Sequence, residues 1–318
     1  MAEYINIKGQ NIEVVASDPA NPTQGQIWYN STSNTLKGLG VSAFGSWATG
    51  NNMNTARTGL AGTGTQTAAI AIAGENPGGT TGATENYDGT SWSPSGSLVT
   101  TRQDSAAAGT QTAAVNFGGG PPPTALTNTE EYNGTSWTAS NPLNTARREF
   151  AGAGIQTAAL GFGGTPASTA TEEYNGSTWA SNPTGLNTGR TILAGAGTQT
   201  AALAFGGGPS TAATEEYNGS TWTSVNSMNT ARGSLAGAGI QTAALAFGGG
   251  SFTTATELYD GISWTSNPTG LNTGRSILAG AGIQTAALAF GGNLPGASNA
   301  TEEWLGAGSP QTKTITAS

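Results

Sequence analysis

The stretch NTARREFAGAGIQTAALGFGGTPASTATEEYNGSTWAS, residues 144–181, is one copy of a unit that fills most of the chain. Its arginine recurs at spacings of 45, 45, 43, 42 and 43 residues, as Arg57, Arg102, Arg147, Arg190, Arg232 and Arg275. A period of about 42–45 residues is typical of the four-stranded blade of a β-propeller. The repeat therefore predicts the fold before any single strand is considered.

Every unit carries the same landmarks after its arginine. A pair of small residues follows sixteen positions later, as at Gly163-Gly164, and a tyrosine and a tryptophan come further on, as at Tyr174 and Trp179. A Thr-Glu step lies between the small pair and the tyrosine, and its glutamates are Glu85, Glu130, Glu172, Glu215, Glu257 and Glu302. These landmarks divide the unit into four short strands.

The unit starting at Arg147 illustrates the four strands. We predict them at residues 150–154, at 157–162, ending at 171–174, and around Trp179. In the second strand, apolar residues alternate with small ones, which is the period of a buried strand face. An Asn-Gly or Asp-Gly step precedes the fourth strand, and it predicts a tight hairpin turn in which both residues have positive φ.

The sixth unit lacks a fourth strand after Trp304, but Trp47 lies ten residues before Arg57, as Trp92 does before Arg102. Residues 44–49 therefore predict the outer strand of the last blade, which would leave no open edge. We expect an all-β chain. A six-bladed β-propeller at 44–305 is closed by this N-terminal outer strand, a small N-terminal β segment occupies 1–43, and a polar tail occupies 306–318.

Across residues 44–305, the order of di-glycine, tyrosine and tryptophan resembles the kelch repeat. The pattern departs from that repeat in a shorter Tyr-to-Trp connection. It also departs at Ala73-Gly74, which replaces the di-glycine in the first unit. The resemblance implies a propeller whose relatives are mostly binding modules, with enzymes as a minority.

The N-terminal segment stands outside the repeat. We predict short strands at residues 4–7 and 12–15 and a hairpin formed by 26–30 and 35–37. The string GQIWYNSTSNTLKG, residues 25–38, resembles a module of tail-fibre and other virion proteins of tailed bacteriophages. Its apolar side chains need a surface to bury against, so we assign docking to Ile27, Trp28, Tyr29 and Leu36.

The composition excludes several classes of function. The 318 residues include no Cys and no His, which removes Ser-His-Asp and Cys-His catalysis and the commonest transition-metal ligand. Adjacent carboxylates such as Glu172 and Glu173 point to opposite faces of a strand, which argues against a glycosidase pair. We expect no enzymatic activity, no catalytic residue, no cofactor and no metal site.

The charge and the apolar stretches of the chain also argue against some classes of partner. The net charge is −8 and no basic run occurs, which argues against nucleic acid. The N-terminus lacks the pattern of a signal peptide, and no stretch approaches the roughly 20 apolar residues of a membrane span. We therefore expect neither an obvious secretion signal nor membrane insertion.

The repeated charges and tryptophans each have two interpretations. The six arginines and six glutamates are either a ring of ligand-binding charges or structural pairs that tie strands or blades together, and we favour structural pairs. The tryptophans either stack on sugars or pack between neighbouring blades, and we favour packing. Six identical copies of one residue exceed what a single binding site needs.

The loops between second and third strands differ from one repeat to the next, and so do the connections between repeats. In an up-and-down blade both lie on the same face, and varied loops on a rigid scaffold are where recognition usually occurs. Neutral drift in exposed loops is the alternative. The candidate partner-binding residues are Asn76, Pro77, Pro121, Pro122, Pro123, Pro166, Pro209, Phe252 and Leu294.

Together these patterns predict a non-enzymatic structural protein of a bacteriophage virion, on the tail or the exterior surface. Residues 1–43 would bind other virion proteins, and the propeller would present a face to a host-surface glycan or protein. Homo-oligomerisation stays open. The alternatives are a capsid-decorating protein, a free carbohydrate-binding propeller, and a peptide-binding scaffold.

Overall fold

A computed structural model describes residues 12–208 and 210–315, and throughout these residues the chain is all-β without a helix. The chain forms two compact units, one of residues 1–45 with 306–318 and one of residues 46–305. A search of the described ranges for a helix long and apolar enough to span a membrane found none.

The larger unit contains six four-stranded antiparallel sheets, which fit the blades of a β-propeller. In sheets 1 to 5, one repeat supplies all four strands in chain order. The strands of sheet 1 are Ala61–Thr65, Ala68–Ile72, Thr84–Tyr87 and Trp92–Ser95. Those of sheet 2 are Ala106–Gly109, Ala114–Phe117, Thr129–Tyr132 and Trp137–Ser140. Those of sheet 3 are Ala151–Ile155, Ala158–Phe162, Thr171–Tyr174 and Trp179–Asn182. Those of sheets 4 and 5 are Ala194–Gly197, Ala202–Phe205, Thr214–Tyr217 and Trp222–Val225; and Ala236–Ile240, Ala243–Phe247, Thr256–Tyr259 and Trp264–Ser266.

Sheet 6 takes its outer strand from the other end of the sequence. It consists of Ala279–Ile283, Ala286–Phe290 and Thr301–Leu305, with Ser46–Thr49 antiparallel to the last of these. Trp47 stands opposite Trp304 in the register. The predicted outer strand is therefore present, although it begins at Ser46 rather than at residue 44. A two-stranded hairpin, Glu75–Asn76 with Gly79–Thr80, extends the loop between the second and third strands of sheet 1.

The turns before the fourth strands differ from the prediction. Only the glycine of each Asn-Gly or Asp-Gly step has positive φ, for example Gly176 at 85°. The loop is four residues long, and Asn175 Oδ1 accepts hydrogen bonds from the N–H groups of Ser177 and Thr178 at 3.0 and 2.8 Å. Asp88 Oδ1 accepts the same two bonds in sheet 1. Because either side chain offers this oxygen, Asn and Asp are interchangeable here.

Buried ion pairs join each arginine to the glutamate of its own repeat. Arg190 Nη2 lies 2.7 Å from Glu215 Oε1, and both side chains are almost fully buried. Arg190 Nη1 also donates to the carbonyl oxygens of Gly206 and Ala213, and Glu215 Oε2 accepts the backbone N–H of Asn187 at 2.6 Å. The ion pair therefore holds the segment that precedes the first strand of the sheet against the third strand of the same sheet. The other five pairs are Arg57–Glu85, Arg102–Glu130, Arg147–Glu172, Arg232–Glu257 and Arg275–Glu302.

Neighbouring sheets are joined by the repeated tryptophans. Trp222 Nε1 donates to Thr171 Oγ1 of sheet 3 at 3.0 Å, and its ring lies 4.9 Å from that of Phe162. Each of the six fourth strands makes the equivalent bond to the preceding sheet, and Trp92 of sheet 1 makes it to Thr301 of sheet 6 at 2.9 Å.

The smaller unit is a four-stranded sheet in the order Glu13–Val15, Ile27–Asn30, Thr35–Val41, Pro310–Thr314. The predicted hairpin is confirmed, with Ile27–Asn30 antiparallel to Thr35–Val41, whereas the strand predicted at residues 4–7 lies outside the described residues. The C-terminal strand was not predicted from the polar composition of residues 306–318. Pairing along a sheet edge uses the backbone, and threonine favours extended conformations.

Replacing Arg190 by alanine should lower the stability of the fold by about 3–5 kcal/mol, because Glu215 would remain as a buried charge without its partner. Glu215→Ala should cost a similar amount, and the double variant should cost much less than the sum. Urea unfolding of the four proteins measures this coupling. Additive losses, or an unchanged stability of Arg190→Ala, would contradict the structural role of the pair.

Candidate functional site

Two residues after each buried arginine, the backbone of one repeat bonds to that of the next. We call these six residues the hexad, and they are Gly59, Asp104, Glu149, Ile192, Ser234 and Ile277. Each hexad N–H donates to the hexad carbonyl oxygen of the preceding repeat, and the N–H of Gly59 donates to Ile277, over distances of 2.7–3.2 Å. The six hydrogen bonds therefore form a closed cycle.

The hexad backbone is left-handed at all six positions, with φ between 47° and 60°. This conformation is uncommon outside glycine, and for a β-branched residue such as Ile192 or Ile277 it is an outlier. Such strain costs on the order of 1–3 kcal/mol per residue and tends to occur at functional sites. The hexad is therefore a candidate functional site.

Five hexad residues line a pocket of about 460 Å³, which we call the hexad pocket. Apolar side chains reach it from repeats 4 and 6, as Ile192 and Ile277. Its charged lining comes from repeats 1 to 3 and consists of Glu75, Asp104, Arg148 and Glu149. Three carboxyl groups thus share the pocket with one guanidinium.

The charged groups of the pocket contact one another. Arg148 Nη1 donates to Glu149 Oε1 at 2.7 Å and lies 3.7 Å from Asp104 Oδ2. The other oxygen of Glu149 accepts a hydrogen bond from Thr165 Oγ1. A Cβ on Gly59 would lie 2.7 Å from Asp104 Oδ1, so a side chain in the hexad position of repeat 1 would displace this carboxylate.

The surroundings of the pocket shift the pKa of the Asp104 carboxyl group. Burial, reinforced by the charges of Glu149 and Glu75, raises the pKa of Asp104 to about 6, although a hydrogen bond from Gln103 and the charge of Arg148 act in the opposite direction. A strongly shifted acid in a concave site marks a candidate functional residue. The carboxyl of Asp104 is therefore at its titration midpoint near pH 6 and is mostly ionised at pH 7.5.

The predicted partner-binding loops of repeats 1 and 2 lie beside this pocket. Pro122 lines it directly, and Asn76 and Pro77 line an adjoining depression together with Glu75. The side chain of Asn76 is half-buried, whereas the other described candidates are exposed: Pro77, Pro121, Pro122, Pro123, Pro166, Phe252 and Leu294. Pro209 lies outside the described residues.

The predicted docking residues have unequal exposure in the smaller unit. Trp28 is fully buried, and its Nε1 donates to Asp18 Oδ1 at 3.0 Å. Ile27, Tyr29 and Leu36 are half-buried. A partner that met this hairpin would contact these three side chains and not the indole ring.

The adjacent glutamates do separate, as the strand geometry predicts. Glu172 pairs with Arg147, whereas Glu173 accepts a hydrogen bond from Tyr217 Oη of the next sheet. Burial, together with the hydrogen bond to that carboxylate, raises the pKa of Tyr217. Among the described residues, no group of three or more acidic side chains is placed to hold a metal ion.

Sequence reasoning missed the hexad. The spacing from the arginine to the di-glycine is the same in every repeat, so it does not single out any residue between them. The identities within it were the available signal, because the second residue after each arginine is Gly, Asp, Glu, Ile, Ser and Ile in turn. The glutamine nine residues after each arginine was also missed. Gln199 Nε2, for example, donates to the carbonyl oxygens of Ala159 and Tyr174 in the preceding sheet.

Repeat 2 carries a second departure from the common pattern next to the hexad. Asn116 Oδ1 accepts a hydrogen bond from Arg102 Nε at 2.7 Å, and its Nδ2 donates to Ser105 Oγ at 2.9 Å. Sheet 4 has Leu193 and Ala204 at these two positions. A polar pair has therefore replaced an apolar pair where repeat 2 approaches the pocket.

A comparison with models of known protein families found no match, and a search of curated proteins found none either.

The exchange at Ser105 and Asn116 can be tested by restoring the common pattern. Asn116→Ala should cost about 1–3 kcal/mol, because the buried Arg102 Nε–H loses its acceptor and Ser105 Oγ loses its donor. Ser105→Leu should also destabilise, because Asn116 occupies the space. The double variant should recover at least about 1 kcal/mol of the summed loss in urea unfolding, since the leucine can use space that the asparagine side chain leaves. Strictly additive losses would contradict this coupling.

Stability should also depend on the charge of Asp104. Its folded pKa of about 6 exceeds the unfolded value of 3.8, so ionisation destabilises the fold as the pH rises through this window. Asp104→Asn should match the wild type at pH 4 and exceed it at pH 7.5 by on the order of 3 kcal/mol. Unfolding midpoints of both proteins between pH 4 and 8 measure this difference. A difference that does not change with pH would rule out the raised pKa.

Proposed function

We propose that residues 46–305 form a closed six-bladed β-propeller. Three sets of interactions support closure, because each passes from sheet to sheet and returns from sheet 6 to sheet 1. They are the hexad bonds, the Trp–Thr bonds, and the glutamine bonds, with Gln66 donating to the carbonyl oxygens of Ala287 and Trp304. The first strands also contact one another in this order, with Ala279–Ile283 beside Ala61–Thr65.

The propeller is, in this proposal, a rigid and non-enzymatic binding scaffold. The observation that carries it is the separation of two kinds of residues. The residues repeated six times form internal bonds, whereas several residues that differ among repeats, among them Asp104, Arg148 and Glu149, line one pocket. Variable residues on a rigid frame are the usual arrangement for recognition.

We further propose that the protein is a structural component of a tailed-bacteriophage virion, in the tail, a fibre or another exterior appendage. Residues 1–43 would attach it to other virion proteins and the propeller would present its variable face to the host surface. The resemblance of residues 25–38 to virion modules supports this assignment. The half-buried Ile27, Tyr29 and Leu36 offer apolar surface for the attachment.

Immunogold labelling of purified particles tests the location. An antibody against the propeller should label the tail or its appendages, and the same antibody adsorbed with the pure protein is the control. Label over the head would replace the appendage role by capsid decoration. Particles without label, with the antigen in the soluble fraction, would reject the virion assignment and favour a free carbohydrate-binding propeller.

A further inference from the structure

The hexad pocket breaks the sixfold regularity of the sheets around it. The residue after the arginine is charged only in repeat 3, as Arg148, and the hexad residue is charged only in repeats 2 and 3, as Asp104 and Glu149. Repeats 4 to 6 form the same backbone bonds with Ile, Ser and Ile. The fold therefore does not require charges here, and their presence calls for another reason.

The charges also do not neutralise one another. Arg148 is the one cationic side chain in the lining, and its guanidinium already lies 2.7 Å from Glu149 Oε1 and 3.7 Å from Asp104 Oδ2. Within the described chain, Asp104 Oδ1 accepts no hydrogen bond, and Glu75 adds a further carboxylate. The pocket is thus left with an excess of negative charge and an available acceptor oxygen.

An apolar wall accompanies this negative group. Ile192 and Ile277 contribute aliphatic surface to the same pocket, and Pro122 adds more from the loop of repeat 2. A ligand that fits both parts has a positive head and an aliphatic body. An anion would meet three carboxyl groups, and a neutral apolar ligand would leave the buried carboxylate unpartnered.

We propose that the hexad pocket binds an alkylammonium group, with the ammonium at Asp104 and the aliphatic body against Ile192 and Ile277. The group belongs either to a free alkylamine or to a lysine side chain of a partner protein. A cation beside a partly desolvated carboxylate gains more than it would in water, since the surroundings screen the attraction less. The binding site is a property of residues 46–305 and does not depend on where the protein is located on a particle.

Titration calorimetry of the full chain with n-butylammonium chloride at pH 7.5 is the first test. We expect saturable binding with one site per chain, and no binding of n-butanol or sodium butyrate under the same conditions. Asp104→Asn should weaken the binding of n-butylammonium at least about tenfold, because it removes a charge-assisted hydrogen bond. Circular dichroism checks that this variant is folded.

Asp260→Asn provides the matched control. It removes one carboxylate from the same unit, at a turn where three other repeats carry asparagine: Asn133, Asn175 and Asn218. This variant should bind n-butylammonium as the wild type does. An equal loss in both variants would show that net charge alone drives the binding and would overturn the proposal.

The pH dependence gives a second readout. Asp104 faces Glu75, Glu149 and Arg148, and burial raises the pKa of its carboxyl to about 6. Affinity for n-butylammonium should therefore rise up to about tenfold from pH 5 to pH 7.5, as this carboxyl loses its proton. The rise should be absent in Asp104→Asn.

The two sources of the cation are separated by a blocked lysine. Nα-acetyl-lysine methylamide should bind more tightly than n-butylammonium if a protein side chain is the natural ligand, and more weakly if a free amine is. Binding of neither cation, or equal binding of n-butanol, would overturn the proposal. It would leave the proposed role as a binding scaffold standing, because that role rests on the separation of repeated from variable residues and not on which ligand the pocket takes.

Discussion

The buried pairing of an arginine with a glutamate is the constraint on which the rest of the structure depends. A carboxylate such as Glu215 is tolerated in the interior because it receives the guanidinium of Arg190 and the backbone N–H of Asn187. These contacts fix the chain just before it enters the first strand. The hexad residue of each repeat follows two positions after the arginine. Its left-handed backbone and its hydrogen bonds to the neighbouring repeats are therefore positioned by the ion pair. The pocket is thus held in place by the most regular feature of the chain.

Between sheets, the fit depends on size as well as on hydrogen bonds. A phenylalanine at the end of the second strand of one sheet packs against a glycine in the first strand of the next sheet. For example, a Cβ on Gly195 would lie 2.7 Å from Phe162 Cζ. Sheet 1 ends its second strand with Ile72 instead, and the facing residue of sheet 2 is Ala107 rather than glycine. The loss of a large side chain on one side accompanies the gain of a methyl group on the other. Close packing at these joints explains the Gly- and Ala-rich first strands.

The sequence predicted the sheets because the repeat presents the same pattern six times, so the landmarks at Arg147, Glu172 and Trp179 could be compared between copies. It predicted the outer strand at Trp47 for the same reason. The hexad pocket was not predicted, because Asp104 and Glu149 depart from the pattern and only the fold brings their repeats together. The raised pKa of Asp104 depends on burial, which no spacing reveals. The turn geometry was misjudged because Asn-Gly also suits a four-residue loop in which the asparagine side chain accepts the backbone hydrogen bonds.

The pairing of Ser46–Thr49 with Thr301–Leu305 has a consequence for the order of folding on the ribosome. The outer strand is among the first parts of the larger unit to be synthesised, but its partner emerges only after all the intervening sheets. Strand pairing over such a sequence separation is slow, and an unpaired edge favours association with other chains in the meantime. The growing chain therefore keeps Trp47 without its partner strand until the last repeat has emerged, and the rate of translation sets how long this exposure lasts.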